Sequence, residues 1–194
     1  MARTKNFNKE EILDKAAELF WTKGYYATSA NDLVNELVLS RSSLYGTFGD
    51  KRSIFINSLH RYRTQIVQKM IKLIDNSTDI EETIKDIFTF IIEQDLTSKI
   101  PKGCLMINTA VELSATDAEI AKIVEQNQKD IEDSFEKAIS KGQKKGTISS
   151  RQSANNLAKF FYNSLTGLRV SLKYNTLKSS IDEVVKLNIS VLSH

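Results

Sequence analysis

The sequence predicts an all-α protein of about nine helices in two groups, and three observations carry that expectation. Apolar residues recur at spacings of three and four along almost all of the 194 residues, and no run alternates apolar with polar residues for long enough to make a strand. Six of the seven glycines fall between these periodic segments, where a helix end needs a left-handed residue, and the single proline, Pro101, also lies in a gap. Serine or aspartate stands at the start of several segments, where a short side-chain oxygen caps free helix N–H groups.

The first helix carries Ile12, Leu13, Ala16, Ala17, Leu19 and Phe20 on one stripe and stops at Gly24. Thr28-Ser29 offers the cap of a short second helix with Leu33, Val34 and Leu37 inward. Ser40 caps a very short third helix with Leu44 and Phe48 inward. Gly49-Asp50 ends that helix and caps a fourth, in which Phe55, Leu59, Tyr62, Ile66, Met70 and Leu73 are expected to keep one face through about residue 74. After the polar turn at 76–79, a fifth helix is marked by Ile80, Ile84, Ile87, Phe88 and Ile91 and ends before the 98–103 loop. A short apolar helix follows from Cys104 to about Leu113. The next runs from Asp117 to about Lys141 with Ile120, Val124, Ile131, Phe135 and Ala138, and at ~1.5 Å per residue it spans ~37 Å. Its basic exit, Lys141 to Gly146, suits the negative end of a helix dipole. The last two helices carry Leu157, Phe161, Leu165, Leu168 and Leu172, then Ile181, Val184, Val185, Asn188 and Leu192.

Composition narrows the function classes. The formal net charge is only +3, but residues 1–63 hold ten Lys/Arg against seven Asp/Glu and leave seventeen of each sign for residues 64–194, so the whole excess sits in the first third. One cysteine can neither close a disulfide within the chain nor build a cysteine-based zinc site, and His60 and His194 are the only imidazoles. No metal and no cofactor are expected. The chain starts without an apolar leader and has no window near 18 uncharged apolar residues, so a cytoplasmic protein without a membrane partner is expected. No Ser/His/Asp set, carboxylate pair or glycine-rich phosphate loop is present, which argues against an enzyme.

Three helices within the first 48 residues, the second and third joined by the tight Leu37-Val-Leu-Ser40 connection, fit a helix-turn-helix at about residues 29–48. In such a unit the last helix enters the major groove with its apolar residues turned inward. The outward set here is Arg41, Ser42, Ser43, Tyr45, Gly46 and Thr47, short or hydrogen-bonding side chains. Arg41 suits a bidentate pair with a guanine edge, worth ~1–3 kcal/mol of discrimination. Tyr45, Thr47 and Lys51 suit phosphate contacts that fix register without reading sequence.

The chain also resembles the TetR/AcrR transcriptional regulators. The likeness lies in Ile12-Leu-Asp-Lys-Ala-Ala-Glu-Leu-Phe20, Gly24-Tyr-Tyr-Ala-Thr-Ser29, Asp32-Leu-Val34, and above all Ser40-Arg-Ser-Ser-Leu-Tyr-Gly-Thr-Phe-Gly-Asp-Lys51 followed by Phe55. The resemblance implies an N-terminal three-helix reader, residues 1–50, and a helical ligand-binding and dimerisation domain, residues 51–194. It also implies a homodimeric repressor released from a palindromic DNA operator by an effector. Carried over residue by residue, Thr28, Ser29, Arg41, Ser42, Ser43, Tyr45, Thr47 and Lys51 are the expected DNA-facing residues. The commonest recognition helix in the family has a second aromatic and a histidine after the tyrosine; here those positions are Gly46 and Thr47.

Lys102-Gly-Cys-Leu-Met-Ile-Asn-Thr-Ala-Val-Glu-Leu113 is similar to the Gly-Cys-Leu segment of one subgroup, some members of which use the cysteine to sense electrophiles or oxidants. Cys104 stands at the first turn of its helix, where the dipole and free N–H groups favour a thiolate, with Lys99 and Lys102 close in sequence and Lys173 a further cation. Two readings stay open, a switch or a small buried cysteine filling a gap. The aromatics of the second group, Phe88, Phe90, Phe135, Phe160, Phe161, Tyr162 and Tyr174, either line a pocket or, as helical spacing favours for most of them, fill the core; Phe88 and Tyr162 are the pocket candidates. Asn108 and Glu112, on an otherwise apolar helix, either anchor a ligand or hydrogen-bond a neighbouring helix end. The dimer is expected through the last two helices, whose small residues include Ala154, Ala158, Ser164 and Gly167. A helical small-molecule-binding or protein-interaction domain without an operator is the alternative.

Overall fold

The computed structural model of the chain describes residues 7–97, 101–174 and 178–193, and every regular element among them is helical. The helices are α1 (Lys9–Lys23), α2 (Ala30–Leu37), α3 (Arg41–Phe48), α4 (Lys51–Tyr62), α5 (Gln68–Asp75), α6 (Ile80–Thr97), α7 (Leu105–Leu113), α8 (Ala118–Lys144), α9 (Ala154–Ser171) and α10 (Lys178–Ser190). A π-helical turn, Arg63–Val67, joins α4 to α5, so these two form the single fourth helix of the sequence expectation.

Helix starts follow local chemistry. Asn8, Ser29, Ser40, Asp50, Asp117 and Ser153 each accept a first-turn backbone N–H through a side-chain oxygen, and Ser29 and Asp32 form a reciprocal capping box. Glycine is less confined to helix ends than its spacing suggests. Gly24, Gly49, Gly103 and Gly146 have positive φ, whereas Gly46, Gly142 and Gly167 lie inside α3, α8 and α9. The long helix therefore continues through Gly142 to Lys144, and a Cβ at Gly142 would stand only 2.6 Å from Ile148 Cγ1.

The N-terminal core gathers Ala16 and Phe20 of α1, Leu33 and Leu37 of α2, Leu44 of α3, and Ile54, Phe55 and Leu59 of α4, all at most 2 % exposed. Phe20 meets Phe55 edge-on at 4.9 Å between ring centroids, and burying a side chain of this kind contributes ~1.5–3 kcal/mol. α4 thus closes the core that α1–α3 begin. Arg61 on α4 ties it to α1 by donating to both carboxylate oxygens of Asp14 and to Glu10, and that guanidinium holds the Asp14 carboxyl below its ordinary value.

In the second group α8 packs against α5, α7 and α9, while α10 packs against α6 and α9. Phe88, Phe135 and Phe161 are fully buried there, with the rings of Phe135 and Phe161 6.0 Å apart. Phe88 is therefore core rather than a pocket aromatic, because it lies on the face of α6 turned into the bundle.

The fourth helix departs from its expected register at the π turn. Phe55, Leu59 and Tyr62 are buried as the periodicity requires, but the buried residues that follow are Val67 and Ile74. Ile66 and Met70 are only half-buried and Leu73 is 62 % exposed. One extra residue in the turn rotates the helix by ~100°, so the stripe of Ile66, Met70 and Leu73 leaves the fully buried face: Ile66 and Met70 pack at the core's edge and Leu73 is exposed. No helix among the described residues is long and apolar enough to cross a membrane.

Candidate DNA interface and ligand cavity

α3 presents a short polar surface. Arg41 and Ser42 are exposed, Ser43, Tyr45 and Thr47 are half-buried, and Leu44 and Phe48 face the core. Ser40 Oγ accepts from Ser43 N–H at 3.2 Å and donates to Ser43 Oγ at 2.9 Å, while Thr47 Oγ1 donates to Ser43 O at 2.6 Å. Arg41 Nη2 donates to Asn31 Oδ1 of α2 at 2.7 Å, which fixes the guanidinium beside the helix start. Asn31 was not singled out from the sequence; its position as the second residue of a capped helix carries no signal of its own.

At the centre of this surface is Gly46, where a Cβ would meet nothing within 4 Å. Glycine inside a helix costs ~0.5–1 kcal/mol relative to alanine, and the folded chain itself supplies no steric reason for it. A helix face without a side chain lets another molecule approach the backbone closely.

One expected contact is corrected. Thr28 is fully buried, and its hydroxyl donates to Gly24 O at 2.6 Å, so the side chain shapes the loop before α2 instead of reaching outward. Ser29 remains exposed, engaged as the α2 cap. Lys51 is half-buried with Nζ 4.3 Å from the Tyr25 ring centroid, and desolvation lowers its pKa while Glu112 and Asp32 oppose that shift.

A cluster of contacts from the second group holds this reader in place. Glu112 on α7 accepts from the backbone N–H of Tyr25 at 2.9 Å and of Tyr26 at 2.7 Å, across 87 and 86 residues of chain. Gly24 makes room for it, since a Cβ there would sit 3.1 Å from Glu112 Oε2. Arg52, at the start of α4, donates to both oxygens of Asp117 at 2.8 and 2.9 Å and to Glu119 at 2.7 Å. This pairing holds the Asp117 carboxyl down to about 2. Lys102 pairs with Glu18 and stands over the Trp21 ring, while Trp21 Nε1 donates to Lys102 O at 3.2 Å.

The other end of α7 borders a cavity of about 570 Å³ between α4–α5, α6, α8 and α9. The displaced stripe of Ile66, Met70 and Leu73 lines it, with Phe90 opposite. Of the six sequence candidates for a ligand or sensor site, Cys104 and Tyr162 lie on its wall. Cys104 is half-buried, and Tyr62 Oη donates to its Sγ at 3.5 Å. Burial pushes the phenols of Tyr62 and Tyr162 up from their ordinary value.

The other four candidates do not line the cavity. Phe88 is in the core, and Glu112 anchors the reader as described. Asn108 donates to Lys102 O at 3.0 Å and accepts from Lys173 Nζ at 3.2 Å, so both serve the loop before α7. Lys99 lies outside the described residues. The cation that reasoning from sequence missed is Arg169, which lines the cavity and donates through Nη1 to Gly103 O at 3.2 Å. Asn127 was missed too; it sits on the α8 face that the long apolar period marks as inward. No group of three or more His, Cys, Asp or Glu among the described residues is placed to hold a metal.

These features can be set beside known proteins. Residues 12–57 match the family described as bacterial regulatory proteins, tetR family, and residues 81–186 match the tetracyclin repressor-like C-terminal domain. An uncharacterized HTH-type transcriptional regulator of Bacillus subtilis (strain 168), YezE, is 28% identical over 99% of this chain and 100% of its own. The HTH-type transcriptional repressor ComR of Escherichia coli (strain K12) is 30% identical over 88% of this chain and 82% of its own. A cysteine mutant of the TetR family regulator CifR, complexed with 26-bp operator DNA, shares the fold with a TM-score of 0.85 at 21% identity, covering 97% of this chain and 98% of that one. With both halves matched and relatives aligned over nearly its whole length, the chain belongs to the TetR family of DNA-binding transcriptional regulators.

Proposed function

We propose that the protein is a homodimeric repressor that reads a palindromic operator with α3 of each copy and is released when an effector occupies the cavity. On this reading residues 1–50 are the reader and residues 51–194 bind ligand and dimerise, with α4 shared between the two. The observation that carries DNA reading is the outer face of α3, polar, short-chained and without a side chain at Gly46. Ser29, Arg41, Ser42, Ser43, Tyr45, Thr47 and Lys51 supply the contacts, Arg41 to base edges and the others mainly to phosphates. The relative ComR is described as a repressor, and the fold neighbour CifR was determined with operator DNA bound.

Dimerisation through α9 and α10 is supported by Phe160, Val170, Val184 and Leu187, which are 40 to 70 % exposed, and by the open surface at Gly167. Two such copies place their recognition helices ~34–36 Å apart, one turn of duplex DNA. The protein then acts in the cytoplasm, where its operator is.

Release follows from shared elements. The cavity wall includes Ile66 and Met70 at the π turn and beyond, and Cys104 at the start of α7; the same two rods end at Lys51 and Glu112 against the reader. An effector that repacks this wall changes how Glu112 and Arg52 seat the reader, which couples the two sites. A second reading, release by an electrophile or oxidant at Cys104, is favoured by the accessible thiol on the cavity wall.

A gel shift on DNA flanking the protein's own gene tests the proposal. Saturable binding is expected, Arg41→Ala should relax sequence preference, and Lys51→Ala should lower the slope of log affinity against log salt by ~0.9. Absence of operator binding would favour the small-molecule-binding or interaction-domain alternative. Repeating the assay after mild electrophile in wild type and Cys104→Ser decides the second reading, which requires loss of binding in wild type alone.

A further inference from the structure

The chemistry of the effector can be read from which polar groups in the cavity lack partners. The hydroxyls of Tyr62 and Tyr162 are engaged, with Cys104 and Thr166. Lys69 and Asp86 also line the cavity but are exposed, so water solvates them. Two groups are left. Asn127 is 3 % exposed, and its Oδ1 is buried with no hydrogen-bond partner among the described residues. A buried acceptor without a donor is costly and rare in folded proteins. Arg169 is half-buried, gives one N–H to Gly103 O, and has no carboxylate partner among the described residues.

A guanidinium set in an apolar wall favours a bidentate anion, with a carboxylate matching its fork. An orphaned acceptor favours a ligand that brings its own donor. The remaining wall, with Ile66, Met70, Leu73 and Phe90, favours hydrocarbon, and about 570 Å³ falls in the range of drug-sized ligand sites. We infer that the cavity takes an apolar organic acid that also carries a hydroxyl or N–H group, its carboxylate on Arg169 and its donor on Asn127 Oδ1. The inference deepens the proposed function and rests on it only for the regulatory consequence; binding itself does not require an operator.

The test is calorimetry and thermal shift on the full-length protein with 3-hydroxydecanoate, 10-hydroxydecanoate, decanoate, decane-1,10-diol and 10-aminodecan-1-ol. At least one hydroxy acid should bind, tighter than decanoate and roughly tenfold or more tighter than the diol, with the amino alcohol weakest. Arg169→Gln should abolish the preference for acid over diol and Arg169→Lys should keep it, a contrast that a purely structural role for the side chain does not produce. Asn127→Leu should remove the advantage of the hydroxy acid over decanoate and leave the preference for acid. Failure of every acid to bind, equal binding of acid and diol by the wild type, or an acid preference that survives in folded Arg169→Gln would overturn the inference. An operator titration run alongside separates the two claims: acid binding without operator binding removes the repressor and leaves the ligand class standing.

Discussion

Between Asn8 and Asp50 the chain answers its own polar groups, whereas beyond Tyr62 it leaves several unanswered. In the first region helix starts are capped by Asn8, Ser29, Ser40 and Asp50, Arg41 is held by Asn31, and Asp32 pairs with Lys23 at 2.8 Å. The buried side-chain atoms without a partner among the described residues are Arg63 Nε, Ser114 Oγ, Asn127 Oδ1 and Asn188 Oδ1, all in the second region. Of these four only Asn127 lines the cavity. On the proposed function the difference marks where each region meets its partner: the first meets DNA with its outer surface, and the second keeps one unanswered acceptor on the cavity wall. Glu112 joins the two, as a group of the second region whose partners are backbone amides of the first.

The largest expected effect breaks that joint. Glu112→Ala removes two charge-assisted hydrogen bonds, each worth ~1.5–3 kcal/mol. It should weaken operator affinity at least about tenfold in a fluorescence anisotropy titration while helical circular dichroism stays unchanged. An affinity equal to wild type would mean that the reader is seated by its own core alone.

Asn127→Leu sharpens the contrast from the other side. If Oδ1 waits for a ligand donor, the apolar variant should be more stable than wild type in the absence of ligand, by ~1–3 kcal/mol, visible as a raised Tm. A substitution that lowers the Tm would show that the asparagine is satisfied in the unliganded protein. Gly46→Ala is a smaller effect of the same kind on the reader: stability should rise by ~0.5–1 kcal/mol while operator binding weakens. The opposing signs separate a surface kept bare for DNA from an incidental glycine.

The smallest effect concerns acid. Asp117 is held at about 2 by Arg52 and by backbone N–H groups of α8, below the ~3.9 of an unfolded aspartate. Its depressed value contributes stability above pH ~4 that is lost as pH falls towards 2. Arg52→Gln should flatten the stability profile in that window in acid melts, and a profile unchanged by the substitution would mean that this pair does not govern acid stability.

Much of the fold was legible because helix caps and glycine stops are local chemistry. Ser29, Ser40, Asp50 and Gly24 mark their boundaries with side-chain geometry that depends on a few neighbours. The π turn was not, because an extra residue in a helix leaves no composition signal; periodicity showed Ile66, Met70 and Leu73 as one apolar stripe without telling whether it faces a core or a cavity. The same limit misplaced Phe88, which is core, beside Phe90, which lines the cavity. Glu112 was legible only as one of two alternatives: it takes the helix-end one, accepting from the N–H groups of Tyr25 and Tyr26 just beyond α1, and a backbone amide has no letter in the sequence that could have decided between them. Thr28 was placed outward by the family resemblance, but the carbonyl of Gly24 claims its hydroxyl.

The most direct measurement is an anisotropy titration of the full-length protein onto labelled DNA from beside its own gene, with random duplex as competitor. Reading of an operator by α3 predicts saturation at two chains per site, a preference for that DNA over competitor at physiological salt, and weaker binding by Gly46→Ala despite its more stable fold. Equal affinity for both duplexes, or no weakening in Gly46→Ala, would contradict it.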